Sequence, residues 1–466
     1  MQTTSVRADE FVHKKTFSSG GYSPSAITTG DFNRDGLVDL AITNETTNTV
    51  GVLLGRGGGS FSSAVIYPVG SFPTDITTSD LVNNGLTDLI VANGGSGTIG
   101  VLFGNGDGTF QAEKEVAEIS GVYAVVAGDF NNDGNPDIAA VQPLEKQGSN
   151  VWILLGNGDG TFRDPVAYQT GAESLKIAIG DFNNDRNLDL ATADYNEGVA
   201  GGISILLGNG DGTFKTAQAF GTPLAPLSLV VADFNHDGNE DLAAGTFSNP
   251  GFSVLLGAGD GTFGKPILYG LQAPFTSITS GDFNGDGSMD VAGVGDTGHG
   301  DAGNVNVALG LGDGTFLSAT SYACCRTAGQ VVSANLNHDR YPELVVTDTR
   351  SEGLASIMIN SDHLPAVALS KDALFFGKVK LDHTSPLQSV TLTNTGFNTL
   401  DISKISASEY FIQKNNCGSE LSIRASCKIR ITFRPRKLGK VNGRVYIADN
   451  AKPGRQSIDL HGAGIN

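Results

Sequence analysis

DFNRDGLVD, at residues 31–39, decides how the chain is read, because variants of it occur seven times. It returns as DLVNNGLTD at 80–88, DFNNDGNPD at 129–137, DFNNDRNLD at 181–189, DFNHDGNED at 233–241, DFNGDGSMD at 282–290 and NLNHDRYPE at 335–343. Successive copies start 49, 49, 52, 52, 49 and 53 residues apart. A second signal interleaves with it: LLGRGGGSF ends at Phe61, and GDGTF ends at Phe110, Phe162, Phe214, Phe263 and Phe316. Between these signals run short β-branched or aromatic segments bounded by Gly, Asn and Asp, the pattern of strands. In the first repeat the segments are 25–32, 38–43, 49–54 and 60–67. The Asp-Gly of GDGTF reads as a hairpin turn, since both residues accept positive φ. Seven four-stranded units of about 50 residues predict an all-β fold, a seven-bladed β-propeller. A parallel β-helix would repeat at shorter intervals.

The seventh repeat has strand segments near 329–336, 344–347 and 354–359 but no TF-type fourth strand after them. KTFSSGGY at 15–22 resembles the missing strand and is expected to complete blade seven, pairing the two ends of the ring and removing an open edge. The propeller is therefore expected over residues 1–362, with a second domain over 366–466.

Within the nonapeptide, oxygen side chains stand at positions 1, 3, 5 and 9, with a backbone carbonyl available at 7. Oxygen donors on alternate residues of a tight loop suit a hard cation of Ca²⁺ size, and Gly at position 6 allows the sharp turn. Four loops carry the full set: Asp31, Asn33, Asp35, Leu37 and Asp39; Asp129, Asn131, Asp133, Asn135 and Asp137; Asp233, Asn235, Asp237, Asn239 and Asp241; and Asp282, Asn284, Asp286, Ser288 and Asp290. A fifth, Asp181, Asn183, Asp185, Asn187 and Asp189, has Arg186 at the glycine position, which predicts binding with a strained turn. The copy at 80–88 has Val82 in place of a donor, and the copy at 335–343 starts with Asn and ends with Glu. Both read as vestigial turns, so four to five Ca²⁺ sites are expected. Asp, Asn and Gly also make metal-free turns, but three clustered carboxylates repel one another without a cation. The loop aromatics Phe32, Phe130, Phe182, Phe234 and Phe283 are expected to fill the space between blades.

Composition sharpens this picture. The chain has 466 residues, 63 of them Gly, and a formal charge of −19 from 49 acids and 30 bases. Before Pro365 there are 42 acids and 15 bases, and from Pro365 onward 7 and 15, so a charge of −27 is joined to one of +8. Such an acidic chain is a poor partner for nucleic acid, and no apolar run of ~18 residues suggests membrane insertion. Extracellular Ca²⁺ modules bind with Kd of ~10⁻⁴–10⁻³ M. At millimolar Ca²⁺ each site would add roughly 1–2 kcal/mol, and at cytosolic levels almost nothing. A secreted or cell-surface location is therefore expected, although MQTTSVRADEF at 1–11 shows no basic-then-apolar signal segment.

The DFNxDG and LLGNGDGTF pairing resembles the FG-GAP/VCBS repeat family, known from integrin α subunits and many secreted bacterial proteins. The resemblance covers about residues 17–360. It implies a seven-bladed propeller with mostly structural Ca²⁺ in the A–B loops of one face, and ligands held by loops of the opposite face. Those opposite loops vary in length here, at 44–48, 142–150, 194–202, 246–252 and 295–304 between strands B and C, and at 221–227, 270–275 and 322–329 between blades. A binding surface and unselected variation both fit that pattern.

From 365 to 466 the nonapeptide disappears and alternating segments at 387–393, 399–405, 427–433, 441–447 and 456–461 predict an immunoglobulin-like sandwich. CKIRITFRP at 427–435 and SIDLHGAG at 457–464 resemble the choice-of-anchor D domain, a relative of the ASH (Hydin-like) family, which implies an adhesive or spacing module. The dense bases Arg424, Lys428, Arg430, Arg434, Arg436 and Lys437 read as a solvated face, since strand alternation spreads side chains over both sides. No sorting motif or transmembrane tail follows Asn466, so surface attachment is expected to be non-covalent or absent.

Cys417 and Cys427 lie ten apart and predict a disulfide. Adjacent Cys324 and Cys325 leave two alternatives open, a vicinal disulfide or two free thiols, their Cα atoms being only ~3.8 Å apart. No G-x-S-x-G elbow, H-E-x-x-H or Walker loop occurs. The reading is a non-catalytic, calcium-stabilised recognition or adhesion protein, a monomer with an extracellular protein or glycan ligand. A carbohydrate-binding propeller and a polysaccharide lyase or hydrolase are the alternatives.

Overall fold

The computed structural model describes the chain apart from residues 1–10, 145–147, 196–200, 223–224, 247–250, 271–274, 296–302, 340, 350–352, 361–364, 396–398, 423–424 and 452–454. It divides into two compact units, Met1–Asn360 and Ser361–Asn466. Among the described residues there is no helix, and none therefore long and apolar enough to cross a membrane.

The first unit is a ring of seven four-stranded antiparallel sheets. Blade one contains Pro24–Gly30, Asp39–Asn44, Thr49–Leu53 and Val65–Pro68, here called strands A to D, and every later blade repeats that order. The A strands of consecutive blades meet around the axis, and Ala328–Ala334 of blade seven returns to Pro24–Gly30 of blade one. The B strands are buried along their whole length, as in Asp39–Asn44 and Glu343–Asp348, except at Gln142 in blade three. This explains their runs of Ala, Gly and aliphatic residues: each B strand is covered by a neighbouring blade on both faces, where small and apolar side chains pack and a polar one needs hydrogen-bond partners. The D strands are short and mostly exposed, which blunts the outer edge.

The fourth strand of blade one begins at Val65, five residues later than the sequence suggests. Ser60 and Phe61 belong instead to the C–D turn, where Phe61 makes only an isolated bridge to Gly55. Positive φ in these turns is carried by two glycines, as at Gly106 and Gly108 (φ 79° and 84°), and not by the intervening Asp. That residue caps the turn: Asp107 Oδ1 accepts from the Thr109 N–H at 3.0 Å and from its hydroxyl at 2.5 Å.

Aromatic rings lock neighbouring blades together. Phe32 meets Phe110 of the next blade edge-on at 5.3 Å, and Phe130–Phe214, Phe182–Phe263 and Phe234–Phe316 repeat the contact. The loop aromatics thus fill the inter-blade core, as their position suggests.

Ring closure does come from the N-terminus, but with shifted bounds. The closing strand is Phe11–Ser18, antiparallel to Leu354–Asn360, and not 15–22. The reason is a spacing of six: Phe61–Tyr67, Phe162–Tyr168 and Phe316–Tyr322 in other blades correspond to Phe11–Phe17 here. Phe11 takes the TF position, edge-on to Phe283 at 5.7 Å, and Phe17 meets Phe61 at 5.3 Å. Ser19 then turns the chain into blade one, its N–H donating to the Gly353 carbonyl at 2.6 Å.

The second unit has two sheets, one of four strands and one of five. The five segments expected from sequence appear at Gln388–Asn394, Leu400–Ala407, Ser426–Phe433, Gly439–Asp449 and Arg455–Ile465. Val367–Leu369, Ala373–Lys380, Phe411–Asn415 and Glu420–Leu421 complete it. Cys417 and Cys427 are bonded, and both are buried in this core.

Phe11 is 4% exposed, so Phe11→Ala in the full chain should cost about 3–5 kcal/mol. Urea unfolding followed by tryptophan-independent circular dichroism measures it; a cost under about 1 kcal/mol is incompatible with a ring closed by this strand.

Candidate functional site

Each nonapeptide joins strand A to strand B, so all seven lie on one rim. In the first, Asp31 Oδ1 and Asn33 Oδ1 converge on the same donor, the Asp35 N–H, at 3.1 and 3.0 Å. Asp31 Oδ2 accepts from the Gly36 N–H at 2.9 Å, and Asp35 Oδ1 from the Leu37 N–H at 2.8 Å. The loops starting at Asp129, Asp181 and Asp233 show the same convergence. In the loop at 282 the Asp282 Oδ1 accepts from Gly285 instead, while Asn284 still receives the Asp286 N–H. Position 1 and 3 oxygens therefore share one side of each turn. Among the described residues, however, no three His, Cys, Asp or Glu side chains form a ready-made metal cage.

Two backbone positions are left-handed. Position 6 is Gly36, Gly85, Gly134, Gly238 or Gly287, and Arg186 adopts φ 69° there, the strained turn expected of that loop. Position 4 is left-handed as well, at Arg34, Asn83, Asn132, Asn184, Gly285, His236 and His338. Its side chains link adjacent loops: Asn83, Asn132 and Asn184 donate to the position 7 side chains Asn135, Asn187 and Asn239 of the next blade at 2.7–2.9 Å. The sequence reading did not anticipate this chain of amides, although the recurrent Asn at both positions signals it.

Position 9 has its own task. Asp39, Asp88, Asp137, Asp189, Asp241, Asp290 and Glu343 are 0% exposed. Asp39 Oδ2 accepts from the Phe32 N–H at 2.8 Å and Oδ1 from the Gly55 N–H at 2.6 Å, and the other Asp residues do likewise. Burial pushes Asp137, Asp189 and Asp241 up to about 6 and Asp290 to about 7. The amides oppose that rise, and the position 5 and 1 carboxylates add to it, which places all three acids of a loop within electrostatic reach. The donor set, oxygen only and with three mutually repelling carboxylates, fits a hard divalent cation.

The opposite rim surrounds the mouth of the central channel, a cavity of about 400 Å³. Ser25, Thr74, Asp75, Tyr123, Lys176 and Gln330, from the starts of the A strands, help to line it. Lys176 Nζ reaches from blade four to Asp75 of blade two at 2.9 and 3.0 Å. Asp75 also accepts from the Val125 N–H at 3.1 Å. Gln330 Oε1 accepts from the Ile27 N–H at 2.6 Å, and Ser277 Oγ from the Val331 N–H at 3.1 Å. Side chains of one blade thus satisfy the inner edge of the next. Of the irregular loops on this rim, parts of those at 142–150, 194–202, 221–227, 246–252, 270–275 and 295–304 lie outside the described residues.

In the second unit the described members of the dense basic set are exposed, as a solvated face requires. Cys427, Ile429 and Ile431 point inward, leaving Lys428 and Arg430 outward, with Lys414 paired opposite Arg430. Arg434 stands 4.0 Å from Asp382, and Arg424 lies outside the described residues.

The sequence matches the FG-GAP-like repeat family over residues 31–91, 80–140, 181–244 and 282–346, and the HYDIN/CFA65/VesB-like, Ig-like domain over 365–463. No curated protein matches the chain. Among solved structures, the BP39L lectin from Burkholderia pseudomallei is similar with TM-score 0.56 and 14% identity, covering 73% of this chain and 97% of the lectin. ASH/PapD-like domain 7 of human CEP192 matches with 17% identity and TM-score 0.18, covering 22% of this chain and 85% of that domain. A functionally unknown protein from Desulfotomaculum acetoxidans DSM 771 matches with 13% identity and TM-score 0.44, covering 64% and 86%. At such identities the lectin likeness is one of fold.

The Asp75 and Lys176 side chains are 6% and 29% exposed. Lys176→Met should therefore cost about 2–4 kcal/mol by leaving a buried carboxylate without its cation. Adding Asp75→Asn should recover at least half of that in urea unfolding; an additive double variant would show that the two groups do not act as a pair.

Proposed function

Because the chain belongs to the FG-GAP-like repeat family, with a HYDIN/CFA65/VesB-like, Ig-like domain behind the repeats, we propose that it is a non-catalytic recognition or adhesion protein. It works outside the cell, and Ca²⁺ in the nonapeptide loops stiffens its propeller. One observation supports binding over catalysis. The Asp75 carboxylate at the channel mouth is already engaged by Lys176 Nζ and the Val125 N–H, and much of the surrounding lining is hydroxyl and aliphatic side chains.

The cation sites are the loops beginning at Asp31, Asp129, Asp181, Asp233 and Asp282. The side chains at positions 1, 3, 5 and 9 and the carbonyl at 7 are their donors. Bound there, Ca²⁺ would offset the mutual repulsion of the three carboxylates of a loop.

A carbohydrate-binding propeller is the second reading. The hydroxyls of Ser25, Thr74, Tyr123, Ser228 and Ser277 around the channel favour a polar, uncharged ligand, and the similar fold from Burkholderia pseudomallei is that of a lectin. An array of glycans and extracellular proteins, probed in millimolar Ca²⁺ and followed by a product assay on every hit, tests the proposal. Binding without turnover is the expected result; turnover would overturn it in favour of a polysaccharide-cleaving enzyme.

The cation has its own readout. Millimolar Ca²⁺ should raise the melting temperature of the full chain by about 5 °C over a chelator-treated sample. No shift would remove Ca²⁺ from the account and leave recognition standing.

A further inference from the structure

Cys324 and Cys325 end the outer strand of blade six, Thr320–Cys325. On a regular strand neighbouring side chains point to opposite faces, which keeps adjacent sulfurs apart. Here the pairing slips: Gly303 stands opposite Cys325 and Asn304 opposite Ala323, so Cys324 is the extra residue of a β-bulge. The two cysteines are thiols in this structure, and the bulge brings their Sγ atoms to 2.7 Å. That is within about 0.7 Å of a sulfur–sulfur bond.

The surroundings hold this arrangement independently of the sulfurs. Cys324 is 5% exposed and packs into the core between blades six and seven with Phe11, Val294 and Ala328, while its Sγ lies 3.3 Å from the Gly303 carbonyl. A Cβ on Gly303 would stand 3.0 Å from Cys325 Sγ, so glycine leaves room for the pair. The next two residues form the whole crossover to blade seven. Asp348 receives the Arg326 N–H at 2.9 Å and the Thr327 N–H at 3.2 Å. The Gly303 N–H donates to the Arg326 carbonyl at 3.2 Å.

We propose that Cys324 and Cys325 are a modification site that closes to a vicinal disulfide in an oxidising medium, with a small-molecule disulfide such as oxidised glutathione as the oxidant. Cys325 is the more exposed of the two and reacts first. Its thiol gives a proton to water, and the thiolate attacks one sulfur of the oxidant, releasing one glutathione thiolate and leaving a mixed disulfide. Cys324, deprotonated in turn, attacks the Cys325 sulfur and expels the second glutathione thiolate. Two protein thiols are oxidised and one disulfide is reduced to two thiols, so electrons and protons balance. The closed ring covalently pins the last two residues of the strand beside the crossover, on the rim where the channel opens.

Hydrogen bonding to the neighbouring thiol, with burial, pushes the Cys325 thiol well up, which slows its reaction with the oxidant and with alkylating agents alike. The test therefore labels after unfolding. The full chain is incubated with oxidised glutathione at mildly alkaline pH, freed of it, unfolded in guanidinium and alkylated with iodoacetamide without reductant. It is then digested and mapped by mass. The expected peptide carries no label at Cys324 or Cys325, weighs two hydrogens less than the dithiol, and takes two labels once dithiothreitol is added first. Alkylation of both residues without reductant overturns the proposal, as does glutathione retained on Cys325 beside an alkylated Cys324. The buried Cys417–Cys427 bridge, unlabelled until reduction, is the internal control.

Discussion

A buried carboxylate shared between two backbone amides recurs in six blades, and the regularity of the propeller depends on it. The position 9 Asp ties the amide entering the A–B turn to the glycine amide at the start of the C–D turn, as Asp39 does for Phe32 and Gly55. Both turns lie on one rim and neither has a regular ladder to satisfy its amides. A charged acceptor makes stronger hydrogen bonds than a neutral one, and leaving this group buried without them would cost far more than the bonds return. Blade seven shows the rule by its exception. Its C strand runs to Asn360 with no C–D turn after it, so no glycine amide is available. Glu343, one methylene longer, accepts from Leu336 with one oxygen and from the Asn337 side chain with the other.

The same logic of substitution closes the ring. In five places a C–D glycine amide donates to the carbonyl after position 1 of the preceding blade, as Gly108 does to Phe32 and Gly59 to Leu336 of blade seven. Blade seven has no such glycine to offer blade six, and the Asn360 side chain donates to the Phe283 carbonyl at 2.6 Å instead. Phe11 then supplies the ring that GDGTF supplies elsewhere. The junction between the chain's two ends is thus built from the contacts of an ordinary blade, contributed by different residues. An open propeller would expose the edge Leu354–Asn360 and the part of the blade six–seven core that Phe11 covers.

Much of this was legible from residue order alone. Seven copies at a near-constant spacing leave little choice of architecture, because each copy marks the same turn of the same unit. The loop phenylalanines announced the inter-blade core, and the C-terminal alternation announced a sandwich. What escaped was whatever depends on partners distant in sequence. The bounds of the closing strand were missed because TFSSGGY looks like a strand and turn in isolation, whereas the six-residue spacing of Phe11 and Phe17 has meaning only beside the other blades. Lys176 and Asp75 stand 101 residues apart, and nothing local marks them as a pair. The second left-handed position in each loop was hidden because Asn, His and Arg, unlike Gly, do not advertise positive φ. The dense bases of the second unit were legible as a solvated face, Lys428, Arg430, Arg434, Arg436 and Lys437 all being exposed. Alternation separates Lys428 and Arg430 from Ile429 and Ile431, and so collects the charges on a single side.

The acidic half of the chain separates into two populations with different work. Of the 42 acids before Pro365, 19 stand at positions 1, 5 and 9 of the repeats. The seven at position 9 are inside the blades, where burial raises those of the complete loops and amides hold them. The other twelve lie on the loops themselves, and the position 1 carboxylates also take amides. Asp80, in the loop that lacks a third-position donor, makes the same bonds to residues 84 and 85 that Asp31 makes to 35 and 36. The turn therefore takes its shape from its own backbone, with or without a complete donor set. A cation entering a complete loop would meet oxygens already ordered and would lose little affinity to reorganisation. The same turn can accordingly be kept in blades that have dropped a donor. A complete donor set and the blade geometry are separable in this ring, and the repeat at 80–88 preserves the second without the first.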